Sequence, residues 1–179
     1  MKSFILLITC LYLLLFIACE EEKKIDVDNK IDKSEIVPDQ ISWDIEVNFI
    51  DSSFTKAILT ARKARIFDEK KETLLDSGLK LIFFSSKTRK RASVLTADSA
   101  KIDDNTKDML AMGNVLVISD STHTRLETNL LMWKNEDEKL YSTEFVEITT
   151  PYEKLKGWGF ESDLNLINYK IFKVSGETK

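Results

Sequence analysis

The chain is poor in cysteine, proline, glycine and histidine: two, two, five and one in 179 residues. Each scarcity excludes something. Cys10 lies inside an N-terminal apolar run and Cys19 at its end. If the run is removed, one thiol is left and no intramolecular disulfide can form, so the mature fold must rest on its core and hydrogen bonds. His123 has no cysteine or second histidine near it and makes no metal site; it reads as a surface residue at the start of a strand. Pro38 and Pro151 stand at boundaries, where a missing N–H removes no ladder bond. No serine, cysteine or lysine has a base beside it in sequence, and Asp103-Asp104 sits with Asn105 in a turn composition rather than as an acid–base pair. The residues therefore predict no enzyme and no cofactor. Twenty-six basic against thirty acidic side chains leave a net charge of −4, which gives no footprint for nucleic acid.

What is present begins with Met1-Lys2-Ser3, an apolar stretch from Phe4 to Ala18, and Cys19. A basic start, an apolar run and a small residue before the cleavage point describe a secretory signal. The run is shorter than the ~20 residues of a spanning helix, which disfavours a single-pass anchor. Phe16-Ile17-Ala18-Cys19 resembles a bacterial lipobox, in which the cysteine becomes the acylated first residue; the alternative is an ordinary signal with an accidental cysteine. The expected organisation is a lipoprotein signal peptide over 1–18, a charged tether over 19–40 without aromatic residues, and one folded domain over 41–179.

In that domain Ile41, Trp43, Ile45, Val47 and Phe49 alternate with polar residues, the period of a half-buried strand. Strand-like runs then follow one another with polar turns between them, at Asp51-Ser52-Ser53, Asp68 to Lys71, Asp103 to Thr106 and Lys134 to Asp137. Evenly spaced short strands point to an all-β sandwich, barrel or open roll. Leu59-Thr60-Ala61-Arg62-Lys63-Ala64-Arg65-Ile66 is echoed by Leu95-Thr96-Ala97-Asp98-Ser99-Ala100-Lys101-Ile102, and more weakly by Leu126 to Trp133. Repeats roughly 30–36 residues apart mark stacked supersecondary units. Within each copy the small and apolar positions change parity half way. One extra residue would return them to a single face, so β-bulges are expected near Arg62-Lys63, Asp98-Ser99 and Asn129-Leu130. Such bulges curl an open sheet into a trough.

The second copy, followed by Leu110-Ala111-Met112-Gly113-Asn114-Val115, resembles the LptC/OstA family of periplasmic β-proteins, whose pattern is Ala-Asp-x-Ala, a polar turn and then Gly-x-Val. Leu126 to Trp133, Phe145-Val146-Glu147-Ile148 and Gly157-Trp158-Gly159-Phe160 resemble the succeeding parts of the same family. Its familiar members carry an uncleaved N-terminal helix, whereas a lipid anchor at Cys19 is expected here. The resemblance implies an open, twisted β-jellyroll on the periplasmic side of the inner membrane, with sorting to the outer membrane left open. It would accept lipopolysaccharide from the LptB–LptF–LptG extractor and pass it to LptA or an LptA-like domain.

The expected lipopolysaccharide-binding floor is Trp43, Ile45, Val47, Leu79, Leu81, Phe83, Val115, Val117, Val146 and Ile148. The same residues would form the core of any β-sandwich, and the alternative function is a structural or surface-exposed β-sandwich lipoprotein that binds other proteins. Exposed edge strands are templates for another chain. The C-terminal strand with Ile171, Phe172 and Val174 is expected to meet LptA, and the strand around Trp43 to meet LptF–LptG. Lys87, Arg89, Lys90 and Arg91 form the one compact basic cluster, open to a lipid-phosphate reading and to the plainer one of a solvated loop.

Overall fold

The computed structural model describes residues 37–178. The expected signal segment, the anchor Cys19 and the tether as far as residue 36 lie outside the described residues. Ten strands follow: β1 (Gln40–Asp51), β2 (Phe54–Phe67), β3 (Glu72–Phe84), β4 (Arg91–Ala97), β5 (Ser99–Asp103), β6 (Met109–Ser119), β7 (Arg125–Lys134), β8 (Lys139–Thr149), β9 (Lys154–Asp163) and β10 (Lys170–Thr178). Among the described residues there is no helix. All ten lie in one antiparallel sheet ordered β1-β2-β3-β4-β6-β7-β8-β9-β10, and β5 continues β4 between β3 and β6.

A line of irregularities crosses this sheet from edge to edge. The β2–β3 register shifts between Ala61 and Lys63, β4 and β5 break at Asp98, and the β7–β8 register shifts between Thr128 and Met132. These are the three bulge positions read from the repeats. The line continues through Asp44 on β1 (φ 49°), Ser77-Gly78 on β3, Gly113-Asn114 on β6 and Gly159 on β9. Two groups across it are tightly set. Asp98 N–H donates to Gly113 O at 3.0 Å, and Gly113 has φ 75° with a Cβ there 2.7 Å from the Asp98 carboxylate, a left-handed conformation that favours glycine.

Each strand is therefore two half-strands with a bend between them, and the sheet is two half-sheets. One half-sheet holds Gln40–Trp43 of β1, the C-terminal half of β2, β5 and the C-terminal half of β7. The other holds Ile45–Asp51 of β1, the N-terminal half of β2, β4 and the N-terminal half of β7. They face each other: Trp133 of the first packs edge-on against Phe49 and Phe83 of the second, with centroids 5.2 and 5.1 Å apart. Leu59, Ala61, Ala64, Leu95, Ala97, Ala100, Leu126 and Leu131 all point between them, buried. The parity change at each single-residue bulge is what puts both halves of a strand on this inner face.

The outer face is stitched by cross-strand ion pairs, and exposed aromatic side chains, Trp43, Phe145 and Trp158, stand among them. Arg65 pairs with Asp76 at 2.7 Å, Lys101 with Glu72, Lys139 with Glu161, and Glu147 with both Lys154 and Lys156. The basic cluster resolves into local contacts: Arg91 pairs with Asp120 and the Arg89 guanidinium lies over the Phe54 ring at 4.1 Å. Asp103 is a turn residue. Its Oδ1 accepts the N–H groups of Asn105 and Thr106, and these bonds hold its carboxyl below the usual carboxylate range.

Candidate functional site

The two half-sheets meet tightly in the middle of the molecule and part beside β1. There they enclose a groove of about 930 Å³. Its wall is the inner side of β1, where Ile45, Val47 and Phe49 pair with Ala61, Leu59 and Ala57 of β2. Its floor is Ile66, Leu75 and Ile102 of the opposite half-sheet. The end of the groove is polar. Thr73 Oγ1 donates to the Asp104 carboxylate at 3.0 Å. The Lys56 ammonium, on an almost buried side chain, donates to Asn135 O at 2.7 Å and stands 3.6 Å from Glu138. Lys56 bulges from the β1–β2 ladder between Thr55 and Ala57, and it ties one half-sheet to the turn of the other. At the opposite edge Tyr169 Oη donates to Glu153 at 3.2 Å. Burial is the larger cause, and this bond the smaller, of a Tyr169 hydroxyl raised above its ordinary pKa.

The expected floor residues divide three ways. Leu81, Phe83, Val115, Val117, Val146 and Ile148 lie on the inner face at 0–1 % exposure, and Leu79 beside them at 6 %. Ile45 and Val47 line the groove, half-buried and exposed respectively. Trp43 borders the groove, but its ring turns to the other side of the sheet. It pairs with Lys63, its ring lies 5.1 Å from the Lys63 ammonium, and it is 66 % exposed. The bend at Asp44 reverses the parity of β1, so strict alternation from Ile45 back to Trp43 ends on the wrong face. Phe49, Ile66, Leu75 and Ile102 were not among the expected floor residues. The alternation in β1 already contained Phe49, and the bulge-corrected parity of β2 and β5 points to Ile66 and Ile102; Leu75 has no local signal beyond its strand.

Among the described residues both edge strands are free on one side: β1 pairs with β2 alone and β10 with β9 alone. On β10, Ile171 pairs with Phe160 and packs on the core. Val174 pairs with Gly157 on the same face but is 62 % exposed, and Phe172 at the bend is 53 % exposed. A Cβ on Gly157 would stand 2.4 Å from Lys173 O, so this close approach of β9 and β10 needs glycine. Among the described residues no cluster of histidine, cysteine and carboxylate side chains is arranged to hold a metal ion.

Comparison with known proteins gives a family match and a likeness of fold to solved structures. The sequence profile described as "Lipopolysaccharide-assembly, LptC-related" matches residues 4–174. Among solved structures the fold resembles that of LptH, described as the LptA-homologous periplasmic component of the lipopolysaccharide transport device of Pseudomonas aeruginosa. The TM-score is 0.52 at 10 % identity over 67 % of this chain and 84 % of that one. A search of curated proteins finds no match.

Proposed function

The chain belongs to the LptC-related family of lipopolysaccharide assembly, a family of transport components rather than enzymes, and from that premise we propose that it is a lipid-anchored, periplasm-facing segment of the lipopolysaccharide bridge. In this reading Cys19 carries the anchor on the inner membrane. The β1 side receives lipopolysaccharide from LptF–LptG of the LptB–LptF–LptG extractor, and the β10 side, with Ile171, Phe172 and Val174, hands it to LptA or an LptA-like domain.

The observation that carries the reading is the apolar groove beside β1, open at a free edge and continuous with the inner face. Acyl chains left in water are expensive, at roughly 0.8 kcal/mol for each methylene. An open groove shields them and still lets them slide. Ile45 and Val47 are assigned first contact. Leu79, Leu81, Phe83, Val115, Val117, Val146 and Ile148 are covered in the closed molecule, and acyl chains reach them when the half-sheets separate. Trp43, on the outer face, is assigned to the β1 joint instead of the lipid path. The ATPase supplies the energy, and this chain performs no bond chemistry.

A photoreactive residue at Val47, with a second at Val117 and a control at outer-face Lys80, tests the proposal in cells. The expected result is a lipopolysaccharide adduct at Val47 and Val117 that depends on ATP and the extractor, and none at Lys80. A folded protein with no adduct at either inner position would instead be the protein-binding β-sandwich, whose packed interior never admits lipid.

A further inference from the structure

The basic cluster lies outside the groove. Between Asp76 and Asp98 the sequence has no carboxylate, and Lys87, Arg89, Lys90 and Arg91 stand together there. They occupy the β3–β4 turn and the first residue of β4, and all four are exposed. The turn is closed by its own backbone: Ser85 N–H donates to Lys90 O at 2.9 Å, and Arg89 N–H donates to Ser85 O at 2.8 Å. The backbone that carries the cations is therefore fixed. The neighbouring turns on this rim bring the carboxylates Asp51 and Asp120, and the β8–β9 turn beyond them brings Glu153. Asp120 is taken by Arg91, Asp51 accepts the Ser52 hydroxyl at 3.2 Å, and Glu153 accepts Tyr169 Oη. Among the described residues Lys87, Arg89 and Lys90 have no ion-pair partner; the Arg89 guanidinium lies over Phe54.

Beside this turn the outer face of the Phe83 half-sheet is apolar. Ile58 pairs with Ile82, Ile82 with Val94 and Val94 with Ile118, so four branched side chains form one row across β2, β3, β4 and β6. Their strand neighbours Leu59, Leu81, Leu95 and Val117 are buried on the inner face, which sets the row on the outside. Ile58, Ile82 and Val94 are half-buried, and Ile118 is 41 % exposed. Phe54 and Phe84 continue the apolar surface toward the turn, lining a hollow with Ile58 and Arg89. All ten strands belong to the one sheet, so no second layer among the described residues covers the row.

An apolar face with a basic, aromatic rim is the composition of surfaces that lie in the headgroup layer of a membrane, where each lysine or arginine near anionic lipid favours binding. A second copy of this chain, brought by a two-fold axis, would present the same row and the same cations, and like charges oppose that occupant. We propose that this part of the outer face docks on an anionic phospholipid surface: Lys87, Arg89 and Lys90 meet the headgroup phosphates, and the row ending at Ile118 rests against the apolar side of the headgroup layer. The proposal goes beyond the bridge reading. The row is on the outer face and the proposed lipid path on the inner one, so either can fail without the other.

The test uses the full chain with an environment-sensitive fluorescent residue in place of Thr88, an exposed residue of the turn. A second version carries it in place of Asn105, an exposed turn residue of the facing half-sheet. Vesicles are phosphatidylcholine alone, or phosphatidylcholine with about one-third phosphatidylglycerol. Emission at position 88 should shift to the blue on the anionic vesicles only, and the shift should fall with added salt. Emission at position 105 should not change. Position 88 reports its own surroundings, so attachment of the chain through another segment does not imitate this result. K87E/R89E/K90E should lower the shifted fraction by about tenfold or more, and I118S by about threefold; urea transitions as cooperative as the parent's check that both variants fold. No shift at 88 on anionic vesicles, an equal shift on phosphatidylcholine or at 105, or variants that behave as the parent would each overturn the proposal. So would a shift on adding unlabelled protein without vesicles, which would make a second copy the occupant.

Discussion

Single residues hold the two half-sheets together at few points. Trp133 is the largest of them, fully buried between Phe49 and Phe83, and its indole Nε1 has no hydrogen-bond partner. Its contribution is packing, with nothing polar to lose. Trp133→Ala is expected to destabilise the protein by about 3–5 kcal/mol, and Trp133→Phe by distinctly less, in urea unfolding. A Phe variant as damaging as Ala would mean that the N–H matters after all. Charge at the surface acts through pH. Lys154 first, and Lys156 second, hold the Glu147 carboxyl below its ordinary value of 4.5. A carboxyl whose folded pKa is lowered stabilises the fold above its unfolded value, and the gain is lost as pH falls through the folded one. Melting curves of the parent and of Glu147→Gln should therefore differ at pH 7 and converge as pH falls through the lowered folded value.

At the scale of the element, the bulge is the device that matters. Arg62 is exposed and outside the core, so Arg62→Ala should change stability by no more than about 0.5 kcal/mol. Deleting Arg62 is a different experiment. It removes the extra residue between Ala61 and Lys63, and every side chain beyond it changes face. Ala64 and Ile66 would turn outward while Lys63 and Arg65 turned in. The deletion should cost more than about 4 kcal/mol, read as loss of the cooperative urea transition. The repeats made this legible in the sequence, because the same parity change occurs at Arg62-Lys63, Asp98-Ser99 and Asn129-Leu130. Asp44 was not legible. β1 belongs to no repeat copy, and its alternation of Trp43, Ile45, Val47 and Phe49 looks unbroken, although Trp43 stands on the opposite face.

For the whole molecule, the proposed lipid path raises the question of how a packed interior would open. Phe83, Val117 and Ile148 are fully covered, so any passage between the half-sheets begins with their separation. Lys56 is the polar tie at the groove end, through Asn135 O and Glu138. Lys56→Met keeps the apolar stem and removes the donor. It should lower stability by about 1 kcal/mol and speed hydrogen exchange in β1 and the N-terminal half of β2 while β6 to β8 stay protected. Unchanged exchange at β1 would show that the tie does not govern the opening. Local opening with low free energy, confined to an edge, is what a binding groove requires.

The sequence by itself determined the local features of this protein: period-two strands, polar turns, the bulges of the repeats, the scarcity of disulfide or metal chemistry, and the family resemblance. These depend on residues a few positions apart, and steric and hydrogen-bonding preferences act at that range. The tertiary structure alone decided which apolar residues form a groove and which a closed core. Val47 and Val117 have the same alternation around them, yet one lines an opening and the other is fully buried. The difference is the facing half-sheet. Burial depends on what stands across the interior, and that partner comes from strands far away in the chain, as Trp133 does for Phe49.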